Sequence, residues 1–231
     1  IIGDSAFFEC WNLTNITIPD SVTTIGDRAF YNCDLTSVTI PDSVTTIGDS
    51  AFYECNLTNV TIPDSINHIG TQAFNCWGLK EFKGKYASED SRALIKDETI
   101  IAYASASGDE YVVPENVTKI GAYAFANSNL QSITLHENIN EIKEYAFDNW
   151  NLVRIYVMSA EPAYLNGYSF FNTGNYDLKI YVPKDSENRY KFDYYWDDYA
   201  AFIYPYDYER VQKNNEIWYT TYDESVITFS Q

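Results

Sequence analysis

The apolar residues of this chain recur with one rhythm. Residues 13–33 read LTNITIPDSVTTIGDRAFYNC, 35–55 read LTSVTIPDSVTTIGDSAFYEC, and 57–76 read LTNVTIPDSINHIGTQAFNC. Leu35, Val38 and Ile40 follow L-x-x-L-x-L, which predicts one short strand per unit. Side chains alternate along a strand, so Val38 and Ile40 point inward and Thr39 points outward. Thr17, Thr39 and Thr61 repeat at a step of 22 residues. The same register continues through Lys83, Val112, Thr134, Tyr156 and Tyr181, with insertions of 7 and 3 residues. A repeat of this length marks a solenoid, in which each turn buries its apolar face against its neighbours. The expectation is about eight turns with one outward ladder of these residues.

The rest of each unit predicts its own pieces. Pro19, Pro41, Pro63, Pro114 and Pro183 end the strands, because proline cannot donate to a ladder. Val22 with Ile25, and Val44 with Ile47, predict a second short inward-facing segment on the return side. Gly26, Gly48, Gly70 and Gly121 mark a corner, although Lys143 stands at the same place. Ala29-Phe30, Ala51-Phe52, Ala73-Phe74, Ala124-Phe125 and Ala146-Phe147 predict one short helical turn that buries a ring. The segment 184–205 is aromatic and predicts a lid, with Tyr190, Phe192, Tyr195, Trp196 and Phe202 on the last turn. The tail 206–231 leaves the period and reads as a linker toward a further domain, with a hairpin of EIWYTTY and VITF around DES. Ile2-Gly3 aligns with Ile25-Gly26, so the sequence starts inside a turn and reads as a fragment of a longer array.

The motif LTSVTIPDSVTTIGDSAFYEC resembles the BspA-like leucine-rich-repeat family of bacterial surface proteins. The resemblance runs over roughly 1–205. It includes SRALIKDETIIAYASASGDEYVVP, similar to a hairpin insert (84–110) in an array spanning 1–183, and IYVPKDSENRYKFDYYWDDYAAFI, similar to a closing segment. It implies a curved right-handed array with a parallel sheet on the concave face. It also implies an extracellular or cell-surface location, and adhesion to an extracellular-matrix protein of a host or a surface protein of another cell. It implies no enzymatic activity and no cofactor.

Charge and residue chemistry narrow this picture. The chain of 231 residues carries a formal charge of −18. That balance argues against nucleic acid, whose phosphates need lysine and arginine, and against an anionic membrane. No apolar run is long enough to cross a bilayer. IIGDSAFFEC is not a signal peptide. Cys10, Cys33, Cys55 and Cys76 occupy nearly equivalent places in successive turns. They are expected to be buried free thiols, neither disulfides nor metal ligands, since a linear stack cannot surround a metal tetrahedrally. His68 and His136 lack a companion nucleophile. Asp20, Asp42 and Asp64 suit turn capping. Asn12, Asn15, Asn56, Asn59 and Asn116 open Asn-x-Ser/Thr triplets, four of them by-products of the repeat.

Of the 21 tyrosines, 14 lie after residue 150. Lid packing is one reading and a contact surface the other, because tyrosine gives large amphipathic area at low entropy cost. In the ladder, Arg154 and Lys179 stand two residues before Tyr156 and Tyr181, and so share their face. The expected binding face is therefore Lys83, Val112, Thr134, Arg154, Tyr156, Lys179 and Tyr181. The alternatives are a structural spacer that presents neighbouring domains, or carbohydrate binding by the tyrosine-rich end.

Overall fold

A computed structural model of the chain describes residues 1–170 and 177–206, and the backbone of further strands at 208–213, 216–221 and 226–227. It is a parallel β-solenoid. In chain order the strands are β1 (Thr24–Ile25), β2 (Thr46–Ile47), β3 (Asn59–Ile62), β4 (His68–Ile69) and β5 (Glu81–Gly84). The insert supplies β6 (Ala93–Lys96) and β7 (Thr99–Tyr103). Then follow β8 (Glu110–Val112), β9 (Lys119–Ile120), β10 (Ser132–Leu135), β11 (Glu141–Ile142), β12 (Arg154–Val157), β13 (Tyr164–Leu165), β14 (Lys179–Pro183) and β15 (Ile203–Tyr206).

The two predicted strand columns are present. On the concave side β3 pairs with β5, and β8, β10, β12, β14 and β15 form a second parallel sheet. On the return side β1, β2 and β4 pair, and β7 of the insert pairs with β9, which β11 and β13 follow in a second sheet. The concave ladder is not the single eight-stranded sheet that the repeat predicts. Residues 13–18 and 35–40 form no strand, and the Thr36 N–H to the Thr14 carbonyl (3.2 Å) joins their backbones without a paired ladder. Between β5 and β8 the insert intervenes. Gly84, at φ 79°, turns the chain away, and β6 and β7 pair antiparallel before the array resumes.

The Ala-Phe segment differs from the predicted helical turn. Arg28, Asn32, Ser50 and Glu54 adopt left-handed φ values of 54°, 52°, 54° and 55°. The N–H groups of Arg28, Phe30 and Asn32 donate to the carbonyls of Asp49, Ala51 and Tyr53 in the next turn, at 2.8, 2.8 and 2.7 Å. Ser50, Phe52 and Glu54 repeat this toward Thr71, Ala73 and Asn75. A helix would direct those N–H groups back along its own axis. Here they form a third ladder along the array, which offsets the cost of left-handed backbone at non-glycine residues.

The core is a column of rings. Phe7, Phe30, Phe52 and Phe74 stack at centroid separations of 5.1, 5.2 and 5.5 Å. Phe125, Phe147 and Phe170 stack likewise at 5.4 and 5.3 Å. The closing segment contains a single α-helix, α1 (Glu187–Lys191), followed by a 3-10 turn at Asp197–Phe202. It buries Tyr190, Trp196 and Tyr199 over Phe170. One residue expected in this lid is not part of it: Phe192 is 83% exposed, whereas Tyr195, 43% exposed, packs edge-on against Tyr164 of β13 at 4.7 Å. The Trp196 indole N–H donates to the Ala163 carbonyl at 2.7 Å, and the Tyr190 hydroxyl to the Ser159 carbonyl at 2.9 Å. In the tail, β16 (Tyr208–Lys213), β17 (Glu216–Thr221) and β18 (Val226–Ile227) pair antiparallel in that order. The DES turn at 223–225 lies outside the described residues.

Candidate functional site

The concave sheet brings part of the expected row together. Val112 faces Thr134, Thr134 faces Tyr156, and Tyr156 faces Tyr181 on adjacent parallel strands. Parallel pairing in strict register puts identical repeat positions side by side on one face, as the 22-residue step requires. Tyr156 and Tyr181 stack with centroids 5.1 Å apart and planes 13° from parallel. Arg154 and Lys179 are likewise partners across β12 and β14.

The sequence reading missed two members. β15 returns after the lid and pairs with β14, setting Tyr204 opposite Tyr181 and Tyr206 opposite Pro183. Tyr206 leans on both Tyr156 (5.4 Å) and Tyr181 (5.5 Å), and Tyr204 lies 6.2 Å from Tyr181. The Lys179 ammonium sits 5.7 Å from the Tyr204 ring centre, within cation–π range. The signal was available: Ile203-Tyr204 repeats the Ile180-Tyr181 pair of the preceding strand. The candidate site is thus a cluster of four tyrosines with two cations beside it, on the strands that adjoin the lid.

Two expected members do not join it. Lys83 lies on β5, whose only strand partner among the described residues is β3, and its ammonium pairs with Glu81 at 2.6 Å. The insert separates it from Val112. Thr134 stands in the row but is 4% exposed, a short side chain beside the bulky Tyr156 of the neighbouring strand. Val112 remains 41% exposed. The accessible face is therefore Val112, Arg154, Tyr156, Lys179, Tyr181, Tyr204 and Tyr206.

The other candidates fall into structural places. Cys33, Cys55 and Cys76 are buried, and their thiols donate to the carbonyls of Phe7, Phe30 and Phe52 in the preceding turn at 3.0, 3.1 and 3.0 Å. Cys10 is exposed, contrary to expectation, because no turn packs on its outer side among the described residues. Burial pushes the Cys33 thiol up and the Cys55 thiol up to about 12. Ser128 stands at the same place later in the column but bonds within its own turn, its hydroxyl donating to the Phe125 carbonyl at 3.0 Å. His136 is buried, with Nε2 3.0 Å from the Pro114 carbonyl and Nδ1 accepting the Asn138 N–H at 3.2 Å. A carbonyl can only accept, so Nε2 is the donor in that bond. Asp20, Asp42 and Asp64 are exposed. Stacking instead uses Asp4, Asp27 and Asp49, whose Oδ1 atoms accept the N–H groups of Asp27, Asp49 and Thr71 at 3.0, 2.8 and 2.7 Å. Among the described residues no three His, Cys, Asp or Glu side chains gather as a metal site.

With two strand columns, a stacked phenylalanine core and an aromatic lid, the chain is a leucine-rich-repeat solenoid. It belongs to the BspA type leucine rich repeat region family, whose model matches in six copies over residues 1–91 and 100–194. Similar folds occur in a leucine rich cell surface protein from Faecalibacterium prausnitzii A2-165 (24% identity, TM-score 0.62, 79% of this chain and 57% of that one). A leucine-rich repeat protein from Eubacterium ventriosum is also similar (23%, TM-score 0.59, 79% and 63%). A third is from Bacteroides ovatus (22%, TM-score 0.54, 79% and 53%). The chain spans between 53% and 63% of the length of these proteins. No curated protein matches the sequence.

Proposed function

We propose that this chain is a non-enzymatic binding module displayed on a bacterial surface or released from it, which holds a protein partner against the concave face. The observation that carries the reading is the four-tyrosine cluster with Arg154 and Lys179 at one end of that face. Tyrosine and arginine are the residue types that dominate interface hot spots. The cations make this end locally basic on a chain of charge −18, and so favour an acidic segment of the partner. Membership of a repeat family with a cell-surface relative supports the location. The partner class is an extracellular-matrix protein of a host or a surface protein of a neighbouring cell.

A structural spacer would need no such cluster. The uniform threonines at 17, 39 and 61 suit that second reading, but only over the first turns. Carbohydrate stacking on the tyrosines is disfavoured where Tyr156 and Tyr181 cover each other's faces. The test is direct binding of the purified chain to immobilised fibronectin, fibrinogen, laminin and collagen by biolayer interferometry. Saturable binding that weakens with added salt is expected for at least one. Purely linear, non-saturable signals on all four would favour the spacer.

A further inference from the structure

The corner at which each turn enters the concave face has two lengths. In some layers one residue links the corner residue to the leucine that opens the next segment: Asp34 between Cys33 and Leu35, Asn56 between Cys55 and Leu57, Asn129 between Ser128 and Leu130. In three other layers two residues do so, and the first is always tryptophan: Trp11, Trp77 and Trp150. These rings are 60%, 61% and 58% exposed. Their exposure alone is ordinary for single surface residues; their recurrence at one repeat position is not.

The three are evenly spaced. The corners of Cys10, Cys33, Cys55 and Cys76 are successive layers. The insert then supplies the fifth layer, since Ala106 N–H donates to the Leu79 carbonyl at 2.7 Å and Asn129 N–H to the Ser105 carbonyl at 2.8 Å. Ser128 and Asn149 hold the sixth and seventh. Tryptophan therefore stands at layers one, four and seven of one edge. With layers about 4.8 Å apart, neighbouring rings are about 15 Å apart and the row spans about 30 Å.

We propose that this row binds a single uncharged polysaccharide chain lying along the axis of the array. An exposed indole offers a broad flat apolar face, which matches the C–H face of a pyranose ring, with an N–H donor at its edge. The layers between supply exposed Asp34, Asn56 and Asn129. Their carboxylate and amides donate to and accept from hydroxyl groups. Asn56 Nδ2 already donates to Asp34 Oδ1 at 3.1 Å, which orients the pair along the row. Rings set apart by polar layers cannot form the continuous dry centre that a protein hot spot needs. Equal spacing along a line suits a periodic linear ligand instead. The charge of −18 disfavours a polyanion, so the chain is neutral. Each contact is weak, and affinity comes from one chain linking three of them.

The test is affinity electrophoresis in native gels containing soluble galactomannan, glucomannan, xyloglucan or mixed-linkage β-glucan. At least one retards the protein. Trp11→Ala, Trp77→Ala and Trp150→Ala each weaken retardation about tenfold or more, because each removes one linked contact. The triple variant melts as the parent does and migrates as in a plain gel. A trisaccharide fragment of the retarding glycan, too short to join two rings, competes at least about tenfold more weakly than the long chain. The variant Tyr156→Thr/Tyr181→Thr stays retarded, so this inference and the protein-binding reading fail separately. The proposal is overturned if none of the four glycans retards the protein, or if the folded triple variant is retarded as strongly as the parent. It is overturned too if sedimentation shows the row joining two copies of the chain while no glycan binds.

Discussion

Asp27 explains why the corner at Gly48 tolerates no side chain. A Cβ there would lie 2.3 Å from Asp27 Oδ1 and 2.6 Å from Asp27 N, and Gly26 and Gly70 meet the same obstacle from Asp4 and Asp49. The glycine column was legible in the sequence, but its cause was not, because it lies in the turn before. The turn before Lys143 carries Ala122 in place of the aspartate, so no carboxylate occupies that corner. Gly48→Ala is expected to destabilise by about 1–3 kcal/mol through overpacking, read by chemical denaturation. The cysteines were legible as one column, and their donor role was not, since it needs the carbonyl of the preceding turn. In the native protein a thiol reagent should label Cys10 alone, and the remaining three only after denaturation. Native labelling of Cys55 at a comparable rate would contradict its burial. The folded state also holds the Cys55 proton more tightly, with its thiol raised from 9.0 to about 12. Its contribution is therefore complete below pH 9 and is lost as pH rises toward about 12. Cys55→Ser keeps a donor without that titration, so the fall in melting temperature above pH 9 should be shallower in the variant.

At the scale of elements, the insert joins two cores. Leu94 and Ala104 are buried with the first turns, while their chain neighbours Ala93 and Tyr103 are buried with the later ones. Arg92 fixes this junction. Its guanidinium donates to the Tyr103 hydroxyl and the Glu110 carbonyl, and lies 4.9 Å from the Tyr111 ring centre. Arg92→Ala should cost about 2–3 kcal/mol, from charge-assisted hydrogen bonds and ring contact together. Urea unfolding followed by tyrosine and tryptophan fluorescence should then split into two steps as the halves uncouple. Arg92→Lys should not restore one step, because an ammonium lacks the planar fork. A single unshifted transition in both variants would assign the junction to apolar packing alone. The strand columns were legible because Val, Ile and Leu repeat at fixed offsets. The left-handed third ladder was not: Arg28, Ser50 and Glu54 carry no residue signal for positive φ, which is set by hydrogen bonds to the next turn.

Across the whole molecule, the array is regular where it is threonine-lined and becomes distinctive beyond the insert. The register that carried Thr17 to Tyr181 was legible in the sequence, and it placed Arg154, Tyr156, Lys179 and Tyr181 together. It also placed Lys83 in a row from which the insert removes it, because counting residues does not show where a sheet is interrupted. Tyr204 and Tyr206 entered through a strand formed after the lid, beyond the point where the period was followed. The central claim is that these tyrosines hold a protein partner without holding the fold. The most direct measurement compares melting and partner affinity of the parent and Tyr156→Thr/Tyr181→Thr. The account predicts a stability change of roughly 1 kcal/mol or less per site, with affinity lower by about 2 kcal/mol or more. An unchanged affinity in a folded variant, or a collapsed fold, would contradict it.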